Sequence, residues 1–190
     1  MRLLLATHNE HKRREFERLL VAYELSTLPA EVELPPEDGE TFEQNALGKA
    51  RAAAQATGRI VIADDSGIEA AALGGAPGVR SARYAGERAS DGENLTKLLR
   101  EAPAGSGLTY VCVLAYIDPQ VEVEHVFEGR CTGRVAAEPA GERGFGYDPA
   151  FLPDDGPGDL TMALLSDEQK DRISHRGRAA RALLQWLATG

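Results

Sequence analysis

Two adjacent carboxylates, Asp64 and Asp65, followed by Ser66 and Gly67, close a short apolar run at residues 60–63. Neighbouring carboxylates are costly to ionise together unless a cation or hydrogen-bond donors relieve them. Magnesium suits such a pair. It prefers oxygen ligands, keeps several waters, and is held by one or two carboxylates plus substrate phosphates. The same four residues also suit an Asx turn with Gly67 at positive φ. Consecutive strand residues face opposite ways, so the two carboxylates have different roles unless the strand has already turned.

Four further segments carry candidate chemistry. Thr7, His8, Asn9, Glu10, His11 and Lys12 lie between a strand-like run and a helix-like one. A strand-to-helix turn presents free amides at a positive helix end, which suits phosphate; Asn9 equally suits a plain helix cap. Asn45 and Lys49 stand one helical turn apart on one face. Lys49 there is either a phosphate ligand or a surface lysine. Phe145, Gly146, Tyr147 and Asp148 offer two aromatics that could stack on a base and a carboxylate that could accept from base or ribose; ordinary loop packing is the alternative. Lys170 precedes Ser174-His175-Arg176-Gly177, which opens the last helix. Basic groups at a helix N-terminus oppose the dipole preference, and such a violation often marks a site.

The absences narrow the classes. There is no GxxxxGK[ST] loop, no GxGxxG opening a helix, no GxSxG and no HExxH. With 30 acidic and 21 basic residues the formal charge is −9, which disfavours non-specific nucleic-acid binding. Positive groups are nevertheless gathered locally, at Lys12, Arg13 and Arg14 and again from Arg172 onward. No apolar run is long enough for a signal peptide or a membrane span. Cys112 and Cys131 sit in strand-like runs without CxxC spacing, so buried free thiols in a reducing cytoplasm are expected.

The elements that must position these residues follow from periodicity. The 190 residues suit one domain with two lobes. Residues 2–6 read as a buried strand. A helix follows on Phe16, Leu19, Leu20 and Tyr23, then a short strand at 25–28 and a proline-rich loop at 29–40. Thr41 and Gln44 predict a capping box for an alanine-rich helix to residue 56, stopped by Gly58. Residues 60–63 form a short strand that delivers Asp64 to Gly67 at its C-terminal end, where ligands gather in open α/β sheets. Residues 74–78 read as a turn. Ser90 and Glu93 predict a second capping box. Residues 108–117 suit a central strand, paired as a hairpin with a long strand at 121–135 that has one wet face. Residues 144–149 form a loop, and a last helix runs from the cap Ser174 to about residue 188. The fold class expected is α/β, an elongated mixed sheet flanked by helices, with two lobes and a central substrate cleft.

These segments, in this order, resemble the inosine/xanthosine triphosphate pyrophosphatase family, enzymes that clear non-canonical purine nucleotides. The resemblance spans residues 3–187. It rests on TxNxxK at 7–12, DGETF at 38–42, NAxxKA at 45–50, ADDSG at 63–67, LGGAPGxxSARY at 73–84, GFGYDPxF at 144–151 and SHRGxA at 174–179. Each is weak alone, and the ordered set is specific. It implies a homodimer that cleaves ITP, dITP or XTP to the monophosphate and pyrophosphate with Mg²⁺. Thr7 to Lys12 and Lys49 would hold phosphate. Glu37 and Asp65 would hold the metal, with Asp65 also the catalytic residue. Ser66, Phe145 to Asp148, Lys170, His175 and Arg176 would hold the nucleotide. A donor-rich pocket would accept a 6-oxo purine and reject adenine. The competing expectations are a pyrophosphatase for pyrimidine or modified nucleotides, and a nucleotide-binding module without turnover.

Overall fold

The computed structural model describes residues 1–189. Its strands and helices, in chain order, are β1 (Arg2–Leu5), α1 (Glu10–Leu19), β2 (Glu24–Thr27), α2 (Phe42–Thr57), β3 (Val61–Ala70), α3 (Asp91–Glu101), β4 (Gly107–Asp118), β5 (Val123–Val135), β6 (Phe151–Pro153), α4 (Asp167–Ile173) and α5 (His175–Leu187). The six strands form one mixed sheet in the order β2-β1-β3-β4-β5-β6. β1 runs parallel to both β2 and β3, while β5 and β6 are antiparallel. β4 sits inside the sheet and is buried over nearly its whole length, as its apolar character on both faces requires. Residues 119–122 join it to its sheet neighbour β5, a connection short enough only for a hairpin.

The chain divides into two compact units. The first holds Met1–Asp65, Cys112–Gly129 and Arg178–Gly190; the second holds Ser66–Val111 and Arg130–Gly177. The chain thus passes from one to the other at Asp65-Ser66, Val111-Cys112, Gly129-Arg130 and Gly177-Arg178, inside β3, β4, β5 and α5. Each unit has its own apolar core. In the first, Leu3, Leu5, Phe16, Ile62, Leu114 and Phe127 pack with Ala180 and Leu183 of α5. In the second, Ile68, Leu98, Leu108, Tyr110, Cys131, Phe151 and Leu165 pack together.

The helices begin where their caps predict. Ser90 and Glu93 form the reciprocal capping box of α3. At α2 the box is only half made. Thr41 Oγ1 accepts from Gln44 N–H, but Gln44 Oε1 reaches past the cap to accept from Glu40 N–H at 2.7 Å. Gly58, at φ 64°, ends α2 in the left-handed conformation. Along α2, Ala46, Ala50, Ala53 and Ala54 are buried beside the polar pair Asn45 and Lys49.

Several expectations need correction. The strand expected at 60–63 runs from Val61 to Ala70, so Asp64 to Gly67 lie within β3 and not beyond its end. Its polar residues find partners there, and Gly67 lets the backbone of the segment at Gly78 approach: a Cβ on Gly67 would stand 2.6 Å from Gly78 O. α1 ends before Tyr23, and Val121 lies outside β5 with 65% of its surface exposed. The region at 152–167 carries β6 and the start of α4, whose own capping box joins Ser166 and Gln169. Both cysteines are buried and free, as expected. Among the described residues no helix is long and apolar enough to cross a membrane.

Candidate active site

In the first unit, β3 sends its two carboxylates to different partners. Asp64 is fully buried and its Oδ2 stands 3.1 Å from Lys12 Nζ, with the Cys112 thiol 4.0 Å away. Asp65, 4% exposed, accepts at Oδ2 from Asn45 Nδ2 at 2.8 Å. One turn along α2, the Lys49 ammonium donates to Asp64 O at 2.6 Å and pairs with Glu37 on the loop before the helix. The Asn45/Lys49 face of α2 therefore meets both the acidic loop and β3, and the surface-lysine reading of Lys49 is wrong: the residue is 6% exposed.

The electrostatics follow from crowding. Burial alone would lower the Lys49 pKa, but Asp64, Glu37 and Asp65 together outweigh it and hold the ammonium above its ordinary value. Asp65 is pushed above the usual carboxylate range, first by burial and then by the nearby Glu37; Lys49, Lys12 and the Asn45 bond only partly offset this. A divalent cation beside Glu37 and Asp65 would relieve that cost. Two carboxylates fit Mg²⁺, which takes one or two from protein and the rest from water and phosphate. Among the described residues no group of three or more His, Cys, Asp or Glu is clustered for a metal.

The first motif is built as a helix start. Asn9 caps α1, its side chain accepting from the backbone of His11 and Lys12. Thr7 Oγ1 accepts from Asn9 N–H at 3.1 Å. His8, Glu10 and His11 are exposed. Glu10 bonds with Arg13 and Arg14, so those two arginines belong to a solvated helix face, and Lys12 alone of that basic run points to Asp64.

In the second unit, Asp148 is 2% exposed and gathers three donors: Lys170 Nζ at 2.7 Å, Phe145 N–H at 2.9 Å and Tyr110 O–H at 3.0 Å. Tyr110 also stacks on His175, ring centroids 4.5 Å apart. Arg176 donates to Ser66 Oγ at 2.8 Å, and both Arg176 and Lys170 stand over the Phe145 ring. Gly146 N–H is held by Asp91 at the start of α3. Tyr147 departs from the expected role of loop aromatic. Its ring joins the core, its hydroxyl donates to Ser81 O at 2.7 Å, and burial raises its pKa. Phe145 is the aromatic that the loop keeps half-buried.

A model of the Ham1 family matches residues 3–186. The chain belongs to that family. It is 45% identical to the dITP/XTP pyrophosphatase of Mycolicibacterium paratuberculosis, over 98% of this chain and 96% of the relative. It resembles the solved HAM1 protein of Coxiella burnetii with a TM-score of 0.87 and 37% identity, covering all of both chains. The Staphylococcus aureus Ham1 protein gives a TM-score of 0.84 at 39% identity, over 100% of this chain and 99% of that one.

In this Ham1-family chain Tyr110 joins the second unit's cluster without any motif to announce it, and Asn45 has a partner that its motif did not show. Tyr110 reads in sequence as one more residue of a buried strand. The signal was its hydroxyl, which must find a partner when buried. Asn45 was legible as the helical neighbour of Lys49 and the first residue of NAxxKA, but its contact with Asp65 joins residues 20 apart in sequence.

Proposed function

We propose that this protein hydrolyses non-canonical purine nucleoside triphosphates (dITP, ITP and XTP) to the monophosphate and pyrophosphate, using Mg²⁺ held by Glu37 and Asp65. The observation that carries this reading is the buried cluster of the first unit. Lys12 and Lys49 are interlocked there with Asp64, Asp65 and Glu37. It supplies cations for phosphate and carboxylates for metal and water in one place. The family membership and the names of near-full-length relatives support the substrate class.

In this mechanism Lys12 and Lys49 bind the phosphates. Asp65 orients a water and takes its proton as the water oxygen bonds to the α-phosphorus. The bond from that phosphorus to the bridging oxygen breaks, and pyrophosphate leaves with the electron pair. When bound, the metal neutralises charge that develops on the leaving phosphates. Positioning and charge neutralisation provide most of the acceleration in phosphoryl transfer. Asp64 is the weaker candidate for base, because Lys12 holds it and it is fully buried. Recognition of base and sugar falls to Ser66, Phe145, Lys170, His175 and Arg176, as the family resemblance implies. Donors on Lys170 and Arg176 match a 6-oxo purine and face the 6-amino donor of adenine. The proposal extends to a homodimer in the cytoplasm. The family resemblance supports the first, and two buried free thiols suit the second.

The test is purified protein with ITP, XTP, GTP, ATP and dTTP, with and without Mg²⁺, quantifying both phosphate products. Pyrophosphate from ITP and XTP, dependent on Mg²⁺, is expected. Orthophosphate as the sole product, or a preference for dTTP, would overturn the reading. Sedimentation of the same sample tests the dimer.

A further inference from the structure

Asn45 stands between two groups of opposite character. Its Oδ1 accepts from Gly39 N–H at 2.8 Å, and its Nδ2 donates to Asp65 Oδ2 at 2.8 Å. A carboxamide accepts at one end and donates at the other, and here both ends are engaged. The reversed orientation would set an oxygen against the carboxylate and an amino group against an N–H. Each partner therefore fixes the orientation that the other needs. Asn45 is itself 5% exposed, in the first turn of α2, which leaves the side chain little freedom.

The loop end of this bridge is closely fitted. A Cβ on Gly39 would lie 2.6 Å from Asn45 Oδ1 and 2.9 Å from Gln44 Cβ. Gln44 holds the next residue, Glu40, through its N–H, and Lys49 holds Glu37, two residues before Gly39. Gln44 and Asn45 thus grip the backbone at Glu40 and Gly39, and Lys49, one turn on, grips the side chain of Glu37.

We infer that Asn45 is a positioning residue for the metal-holding pair: one amide ties the Glu37 loop to the Asp65 carboxylate and sets the orientation of that carboxylate toward the loop. This rests on the proposed reading of Glu37 and Asp65 as metal ligands. Asn45 itself touches no reacting atom. Residues that orient metal ligands in this way change metal affinity or activity by about 10–100-fold when removed.

The experiment uses the full chain with Asn45→Ala, which removes the bridge, and Gly39→Ala, which obstructs its loop end. Asn45→Ser replaces either variant that does not fold. Mn²⁺ binding is titrated without nucleotide by electron paramagnetic resonance, and dITP hydrolysis gives kcat and KM separately. Mn²⁺ affinity and kcat should each fall about tenfold or more, with the KM for dITP little changed. A residue needed only for folding would lower the melting temperature and leave Mn²⁺ affinity and kcat of the folded protein as in the wild type. That result would overturn the inference while the proposed activity stands. Wild-type protein that hydrolyses dITP without binding Mn²⁺ would overturn the metal assignment and the inference with it. Failure of the wild type to hydrolyse dITP would instead overturn the proposed function.

Discussion

At Asp65, burial opposes ionisation. Burial, the largest influence, pushes its pKa above the ordinary 3.8 despite Lys49 and Lys12. A carboxylate with a raised folded pKa binds its proton more tightly in the folded state. Its contribution to stability is full below the unfolded pKa and is lost as pH rises through the folded one. At neutral pH the ionised group therefore costs stability. Asp65→Asn should melt at a higher temperature than wild type at pH 7 in metal-free buffer, with the gap closing toward about pH 4. The same variant should lose about 10²–10⁴-fold in turnover of dITP. Calorimetry across pH and a product assay check both; a lowered melting temperature at pH 7 contradicts the first. Added Mg²⁺ should raise the melting temperature of wild type and not of Asp65→Asn, since a ligand that binds only the folded state stabilises it. In the second unit, Tyr110 supports Asp148. Tyr110→Phe keeps the ring against His175 and removes the hydroxyl from Asp148. A hydrogen bond to a charged group contributes about 1.5–3 kcal/mol, so the urea midpoint should fall accordingly.

Among the elements, β3 carries three of the candidate residues, Asp64, Asp65 and Ser66. Asp64 and Asp65 face different partners because the strand alternates through them. It also requires Gly67. Gly67→Ala would force a methyl against Ser81 and Gly78 O, and overpacking of this kind costs about 1–3 kcal/mol. A urea melt measures it, and a cost below about 0.5 kcal/mol would show that the Gly78 segment yields freely. The length of β3 was the main point that the sequence hid. Asp, Ser and Gly are poor strand residues, so propensity ends the strand at residue 63; tertiary partners carry it on to Ala70. α4 was hidden for a different reason: at seven residues it is too short to show a helical repeat, although Ser166 and Gln169 spell its capping box. Features held by local rules were legible. The caps at Asn9, Thr41 and Ser90, the stop at Gly58 and the buried run of β4 all stand where residue type and spacing put them. At the site, the motif residues were legible in type and order. The partners they share were not, because Lys12–Asp64, Asn45–Asp65 and Tyr110–Asp148 are contacts between distant parts of the chain.

For the molecule as a whole, charge separates general from local behaviour. At −9, the surface field opposes nucleic acid, while Lys12 and Lys49 are paired with carboxylates inside the first unit. Duplex DNA at roughly physiological salt should neither be retained by the protein in a filter assay nor inhibit dITP hydrolysis. Inhibition by DNA would place a basic surface on the protein that its net charge does not suggest. The path of the chain has a consequence of another kind. Each unit is assembled from separated stretches, the second from Ser66–Val111 and Arg130–Gly177. No single contiguous gene segment encodes either one. A stretch swapped between relatives therefore never exchanges one unit alone: a segment spanning all of the second unit also carries Cys112–Gly129 of the first. A change confined to one unit must therefore be made by substitutions within it, because neither unit can be grafted as a single uninterrupted piece of chain.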